Sequence, residues 1–501
     1  MKQLQADAVI VAAGPAGLAA AITLCEKGFK PIIFEKSATS GGCAKMGMGP
    51  LGINTHVQRA QFNDISVSYA LSKHMEYTHY RVDADLVSAY FHLSADTIRW
   101  LEDMGVKFAG AFRYSRDSEA TWHIVQPEEG DPGPRCASAM TKIMTRRAEE
   151  LGTEIFYKTA AYDLIVENGT VCGVLAKTKD GEEIEARAGA VLVCTGGFSG
   201  NPDMVKTELG IEVGKDILNM PIGTHTGDGL QMMWRAGAQK YGLGLEVIYL
   251  CEKQMAYMAL DGMFRQSNLI VNRDGKRIMN EGDMCNTTFM GNAILNQPGK
   301  FVYSIMDGRI ADTYKKNGLT NISLVENAEV VDLFDDAIED ALEDGYAGFI
   351  IADTLEEFAE KLGIPEEQLR QTLDTYNSYC ACGVDRQFGK DASYLKPITG
   401  EGKYMALKYY ASIYGTLGGV RINRKCEVQD NDDQPIPGLY SAGTDANTIY
   451  GDSYNFKLPG NSMGFALNTG RMAGAAMSEY LSDHSETATA FEHVRSFEEI
   501  L

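Results

Sequence analysis

The sequence predicts an α/β fold: a parallel sheet assembled from two separated stretches of chain, with one large α+β region inserted between them. Three observations carry that reading. Residues 8–36 read as strand, glycine turn, helix and strand; glycine blocks of one style occur at both ends of the chain; and the stretch from about 242 to 410 changes character, losing histidine and gaining a polar helical tract near 330–380. With 501 residues there is ample chain for a large core. Charged residues at 23% and hydrophobic residues at 45% exclude disorder or coiled coil as a description of the whole.

The first unit is the most informative. Ala8-Val9-Ile10-Val11 is a short apolar run suited to a strand buried on both faces. It meets Ala12-Ala13-Gly14-Pro15-Ala16-Gly17, then an Ala/Leu-rich helix reaching Lys27-Gly28, then Pro31-Ile32-Ile33-Phe34-Glu35-Lys36. This is the order of a dinucleotide-binding βαβ unit. Gly14 and Gly17 let backbone approach a pyrophosphate and let helix pack on strand, the helix N-terminus offers unpaired amides, and Glu35 suits a ribose diol. Ala12 stands where the first glycine of G-x-G-x-x-G belongs, so the turn has to tolerate a methyl group.

Ser40 to Gly49 follows with four glycines in ten residues, the composition of a loop laid against a flat ligand. Asp83 to Val106 carries helical periodicity, residues 138–151 form another helix, and 154–194 alternates like a small β-meander ending in Val193-Cys194-Thr195-Gly196-Gly197. Thr226-Gly227-Asp228-Gly229 opens a helix over 230–236, with Asp228 either capping it or holding a ligand arm. The last ninety or so residues return to the style of the first, through Thr416-Leu417-Gly418-Gly419, Ser441-Ala442-Gly443 and Leu458-Pro459-Gly460-Asn461-Ser462-Met463-Gly464.

Charge and cysteine bound the partners. Subtracting 68 acidic from 46 basic residues leaves −22, a field that repels nucleic acid and anionic lipid. The ten cysteines show no C-x-x-C; the closest pair is Cys380 and Cys382, so free thiols in a reducing cytoplasm and no metal site are expected. The start M-K-Q-L-Q-A-D lacks the pattern of a signal peptide. The uncharged run from Ala8 to Cys25 is broken by Gly14, Pro15 and Gly17, so no membrane span is expected.

These glycine blocks, in this order, resemble the flavoproteins of the fumarate reductase and succinate dehydrogenase superfamily. Soluble fumarate reductases, urocanate reductases and ketosteroid dehydrogenases are its relatives. The resemblance runs nearly end to end. It implies a Rossmann-like, glutathione-reductase-like FAD-binding domain, discontinuous over 1–241 and 411–501, and an α+β capping domain over 242–410. By motif, Gly14, Ala16, Gly17, Glu35 and Lys36 would hold the ADP half. Gly42, Cys43, Ala44, Lys45 and Gly47 would line the pyrophosphate and flavin, with Ala161, Thr195, Gly196 and Asp228 as adenine-side and ribityl-side contacts. Gly443, Asn461, Ser462 and Met463 would meet the pyrimidine end of the ring. The loop at 41–49 holds no histidine, so the resemblance implies non-covalent FAD.

The departures from the family pattern reshape the substrate side. Fumarate reductases grip two carboxylates with arginines and histidines and donate a proton from an arginine. Here the donor position falls near Cys285, Tyr414-Gly415 precedes Thr416-Leu417-Gly418-Gly419 where a histidine is usual, and Lys457 replaces an arginine. Each lost charge-assisted contact is worth about 1.5–3 kcal/mol, and lysine does not reproduce a bidentate arginine. Fumarate is therefore excluded as the expected substrate. Tyr249, Tyr257, Tyr414, Tyr450 and Tyr454 fall in segments expected to border the flavin. Tyr454 and Tyr414 are the leading catalytic candidates, Lys457 a polarising group, and Arg265 a residual cationic contact.

The expectation is an FAD-dependent oxidoreductase acting on a carbon–carbon double bond conjugated to a carbonyl, such as a 3-ketosteroid or similar flat enone. Hydride would pass through flavin and the proton through tyrosine. Two alternatives stand beside it: an aryl-acrylate reductase in which Lys457 and Arg265 hold one carboxylate, and a non-catalytic subunit that relays electrons. With no second dinucleotide motif in the chain, electrons are expected from a separate reductase or reduced flavin.

Overall fold

The computed structural model describes residues 1–220, 223–321 and 329–498. The first strand, Lys2–Val11, lies parallel between strand Pro31–Glu35 on one side and strand Glu183–Val193 on the other, with Val9 opposite Ile32 and Val191. Strand Pro435–Ser441, from the far end of the chain, joins the same sheet parallel to 183–193, and Glu154–Tyr157 adds an edge beside 31–35. The strands 159–167 and 170–178 form the antiparallel meander that feeds 183–193. The meander expected over 154–194 thus begins later, because 154–157 is taken into the parallel sheet.

Helix Pro15–Glu26 follows the first strand, with Pro15 at its start where a missing N–H costs nothing. The last helix, Asn461–Glu498, packs directly against it. Glycine makes that contact possible: a Cβ on Gly470 would lie 2.3 Å from the Ala16 carbonyl oxygen, and one on Gly474 would lie 2.8 Å from that of Ala20. The two helices therefore meet backbone to backbone.

A second sheet runs in the order 240–250, 404–420, 301–307, 269–272, with short strands 218–219, 349–352 and 446–447 added to the 17-residue strand Tyr404–Val420. Helices Gly308–Asn317, Phe334–Glu343, Leu355–Leu362 and Glu366–Cys382 belong to this region and include the expected polar tract. The boundaries expected at 241/242 and 410/411 both fall inside strands of this sheet, Lys240–Leu250 and Tyr404–Val420. The reason is physical: strand 240–250 pairs along its length with residues 410–420 of the longer strand, so the chain crosses between regions as one continuous ribbon.

That ribbon is irregular at one place that matters. Glu246 pairs with Gly415, yet the next residue, Val247, pairs with Ile413. Tyr414 is therefore an extra residue, a β-bulge. In a regular ladder Tyr414 would oppose Val247 and face away from Glu246; the bulge turns Tyr414 to the cavity that Glu246, Ile248 and Leu250 already line by alternation.

A glycine-lined cavity with an aromatic end

A cavity of about 470 Å³ lies between the two sheets and is mostly apolar in its lining. One end is built from the parallel sheet and its turns. Gly14, Pro15 and Ala16 present the start of helix 15–26, where no side chain caps the free amides. Glu35 is fixed at the end of its strand, accepting from the Ala13 N–H at 2.8 Å and the Ser37 N–H at 2.7 Å. Gly17 lies just beneath, where a Cβ would sit 2.1 Å from the Ala12 carbonyl oxygen. Ala12 itself has φ of 89°, left-handed backbone that glycine adopts freely and alanine does not.

Gly42, Cys43, Ala44 and Gly47 continue the wall, as do Ala161, Thr195, Gly196, Gly443, Ser462 and Met463. The turn at Thr195 is organised by a residue that sequence reasoning passed over. Asp445 accepts from the Thr195 hydroxyl at 2.8 Å and the Gly197 N–H at 2.7 Å, and also from the Thr195 N–H. Lys36 and Asp228 both reach the cavity but are bound to each other at 2.9 Å. Asp228 opens helix Asp228–Arg235 as its first residue and caps nothing; Gly227 holds the cap position. Three expected residues stand behind the wall. Gly17 is one; Lys45 binds Thr39; Asn461 is fully buried and accepts from the Tyr90 hydroxyl.

Cys43 has a partner that its motif did not reveal. Its Sγ lies 3.0 Å from Nε2 of His225, which packs against Gly196. Burial pushes the Cys43 thiol up to about 12, and burial, with Lys36 adding to it, drops His225 to about 4. The pair is a neutral thiol on a neutral imidazole, which suits a wall beside an uncharged ring.

The other end is aromatic. Tyr114 stands 4.9 Å from Phe456 between ring centres, Phe456 stands 4.8 Å from Tyr454, and Trp122 and Tyr414 complete the lining. Met255 and Met258 form an apolar lip; Met255 is 70% exposed. The Tyr454 oxygen accepts the Ser462 N–H at 3.2 Å, at the start of the last helix, which leaves its own proton to donate. Burial holds the phenols of Tyr414 and Tyr454 above the ordinary range, with Glu246 next in effect on both.

Of the five tyrosines expected at this face, two line it. Tyr249 is buried behind the wall with its hydroxyl on the Met284 carbonyl, Tyr257 stacks on Tyr346 and binds Asp344, and Tyr450 packs behind Tyr454. Lys457 is exposed and away from the cavity; its backbone turns outward to accept from Glu119. Arg265 does reach the cavity, but its Nε donates to Asp261 at 2.7 Å and its guanidinium lies 4.2 Å from the Tyr249 ring centre. Sequence reasoning missed Glu246, Tyr114, Trp122, Phe456 and His225. A bulge and a loop contact leave no periodic signal.

The glycine-lined end fits an extended flavin dinucleotide on three observations: uncapped amides at the helix start, a carboxylate pre-set by two backbone donors, and backbone surfaces where a Cβ would collide. Comparison with known proteins agrees. Residues 7–463 match a family described as the FAD binding domain. The vinyl phenol reductase of Lactiplantibacillus plantarum is 30% identical over 492 residues, covering 96% of this chain and 97% of the relative. The NADH:fumarate oxidoreductase of Klebsiella pneumoniae is 27% identical over 93% of this chain, which spans only 47% of that longer protein. A solved 3-ketosteroid-Δ4-(5α)-dehydrogenase from Rhodococcus jostii shares the fold with a TM-score of 0.77 at 23% identity, covering 95% of this chain and 98% of its own.

Proposed function

The chain belongs to the FAD-binding flavoprotein family of the fumarate reductase and ketosteroid dehydrogenase type and is an FAD-dependent oxidoreductase acting on carbon–carbon double bonds; on that premise we propose that it reduces a neutral, flat alkene conjugated to a ring oxygen, a phenol or an enone. One observation carries the choice of a neutral substrate. At the aromatic end, among the described lining residues, the sole cation is Arg265, and Asp261 already neutralises it inside the wall. A carboxylate entering there would meet a charge spent elsewhere. The whole-length likeness to a vinyl phenol reductase supports the phenolic form of the substrate.

Bound without a covalent link, FAD would supply the hydride. Gly14, Ala16, Glu35 and Lys36 would hold its ADP half, with Gly17 allowing the close turn. Gly42, Cys43, Ala44, Gly47, Ala161, Thr195, Gly196, Asp228, Gly443, Ser462 and Met463 would line the rest. The hydroxyls of Tyr454 and Tyr414 would hydrogen-bond the ring oxygen as charge develops on it. The Tyr114–Phe456–Tyr454 wall would stack on the flat ring, and Met255 and Met258 would admit it from solvent. Among the described residues no helix is long and apolar enough to cross a membrane. A cytoplasmic site of action, with a separate reductase or reduced flavin as electron donor, fits this reading.

The test is reoxidation of the anaerobically reduced protein by four acceptors: 4-vinylphenol, a 3-keto-Δ4-steroid, an aryl-acrylate and fumarate. Fast reoxidation by either neutral acceptor, with the two acids slow, is the expected result. Preference for an acid overturns the proposal.

A further inference from the structure

We infer that Glu246 is the acid that protonates carbon in this reaction, with Tyr414 and Tyr454 serving the substrate oxygen; this rests on the reading of the site as an alkene reductase. Glu246 is 3% exposed, and its surface lines the cavity. Its position is built by two local devices. Alternation along strand 240–250 sends Glu246 to the cavity beside Ile248 and Leu250, where the bulge brings Tyr414 to join it, and Gly415 opposite leaves room for the carboxyl, since a Cβ there would sit 3.2 Å from Oε2.

The groups around Glu246 include no counter-charge. Strand 404–420 presents Tyr414; the loop before the last helix presents Tyr450 and Tyr454; the glycine loop presents Cys43, with neutral His225 behind it. Helix Thr287–Leu295, packed on strand 240–250, carries no charged residue, and the Lys240–Glu208 pair sits at the strand's other end. Among the described residues none forms an ion pair or hydrogen bond with the Glu246 side chain. A carboxyl buried this way keeps its proton, and burial raises its pKa to about 8.

Placement and acidity together single out Glu246 among the groups at this end of the cavity. The two cavity tyrosines are pushed above the ordinary phenol range and give up a proton to carbon poorly, whereas an acid near the working pH is best placed to do so. Arg265 is tied to Asp261, and the Cys43 thiol is too weak an acid. With reduced FAD bound, its hydride and the proton of the Glu246 carboxyl would add across the alkene, whose π bond breaks as two C–H bonds form; the flavin would end oxidised and solvent would return a proton to the carboxylate.

The test uses the flavin-loaded protein, reduced anaerobically, with 4-vinylphenol and a 3-keto-Δ4-steroid as probes. Glu246→Gln should keep the flavin absorbance spectrum and its reduction by dithionite while reoxidation slows about 100-fold or more. Wild-type reoxidation should fall tenfold per pH unit above about pH 8, and the residual rate of Glu246→Gln should lack that break. Reoxidation of Glu246→Gln within threefold of wild type overturns the assignment. If that variant does not load flavin, a wild-type profile flat from pH 7 to 9.5 overturns it instead. Failure of the wild type with both probes overturns the functional reading itself, and the assignment with it.

Discussion

Arg265 binds Asp261 through Nε at 2.7 Å with both side chains buried, so the cation nearest the aromatic end of the cavity is neutral in effect toward anything that enters. Asp261 also accepts from Gln254 at 2.6 Å and from the Tyr409 hydroxyl at 3.0 Å. It is a hub, and its removal exposes two roles at once. Asp261→Asn should destabilise the protein in urea unfolding, by up to about 3–5 kcal/mol, because the buried pair with Arg265 loses its carboxylate. In the folded fraction the KM for an aryl-acrylate should fall relative to that for 4-vinylphenol. An unchanged ratio would mean that Arg265 does not meet the substrate.

Tyr454 receives the Ser462 N–H and keeps its own proton for the cavity. Removing that donor from an enclosed site typically lowers rate by about 10²–10³-fold. Tyr454→Phe should show such a loss in reoxidation by a neutral alkene, with flavin content intact. Tyr414→Phe should show a smaller loss of the same kind. Stopped-flow absorbance of the flavin reads both.

Ala12 holds φ of 89° at the tightest point of the nucleotide turn. A non-glycine residue there carries roughly 1–3 kcal/mol of strain, partly offset by the extra freedom glycine has when unfolded. Ala12→Gly is therefore expected to stabilise the protein by about 1 kcal/mol, measured by thermal or urea unfolding. Gly17→Ala runs the other way. Its methyl would strike the Ala12 carbonyl, and flavin should be lost on purification.

Three buried histidines give the acid limit. Burial holds His74, His123 and His225 down to about 4 from an ordinary value near 6.5. Between those values the unfolded chain binds protons that the folded chain refuses, so stability is present above about pH 6.5 and falls as pH drops toward 4. His74 contacts the Ile449 carbonyl at 2.6 Å and Asn455 at 3.3 Å, bracketing the loop that carries Tyr454. Melting temperature followed from pH 7 to 4.5 should fall, and His123→Gln should flatten part of that fall.

Glu246 acts on stability in the opposite direction. Its folded pKa is raised, so its contribution is fully present below about pH 4.5 and is lost as pH rises toward 8. Glu246→Gln should gain stability over wild type across that window and hold a constant advantage above it. Paired urea titrations at pH 5 and 9 measure the difference.

The glycine-lined end of the cavity was legible because its constraints are local. Gly14, Gly17 and Glu35 lie within one βαβ unit, where turn, helix start and strand end sit at fixed spacings, and Thr195, Gly196 and Gly443 close strands of the same sheet. The aromatic end was half legible. Tyr414 and Tyr454 were found by their place beside glycine blocks, but Tyr249 and Tyr257 share those segments and point into packed interior. Glu246 was invisible for a clear reason: it reads as one acid in an alternating strand, and only the fold shows that the face carrying 246, 248 and 250 lines the cavity. Lys457 was misplaced because a backbone turn after Asn455 carries it outward, which residue type does not announce.

The single extra residue at position 414 also has an evolutionary meaning. Deleting one codon there would let Glu246 and Val247 pair in step with Gly415 and Ile413, leaving the second irregularity at 241–244 and the glycine-lined end untouched while removing one hydroxyl from the cavity. A length change of one residue would thus alter the polar groups offered at the aromatic end without disturbing the sheet that builds the other end.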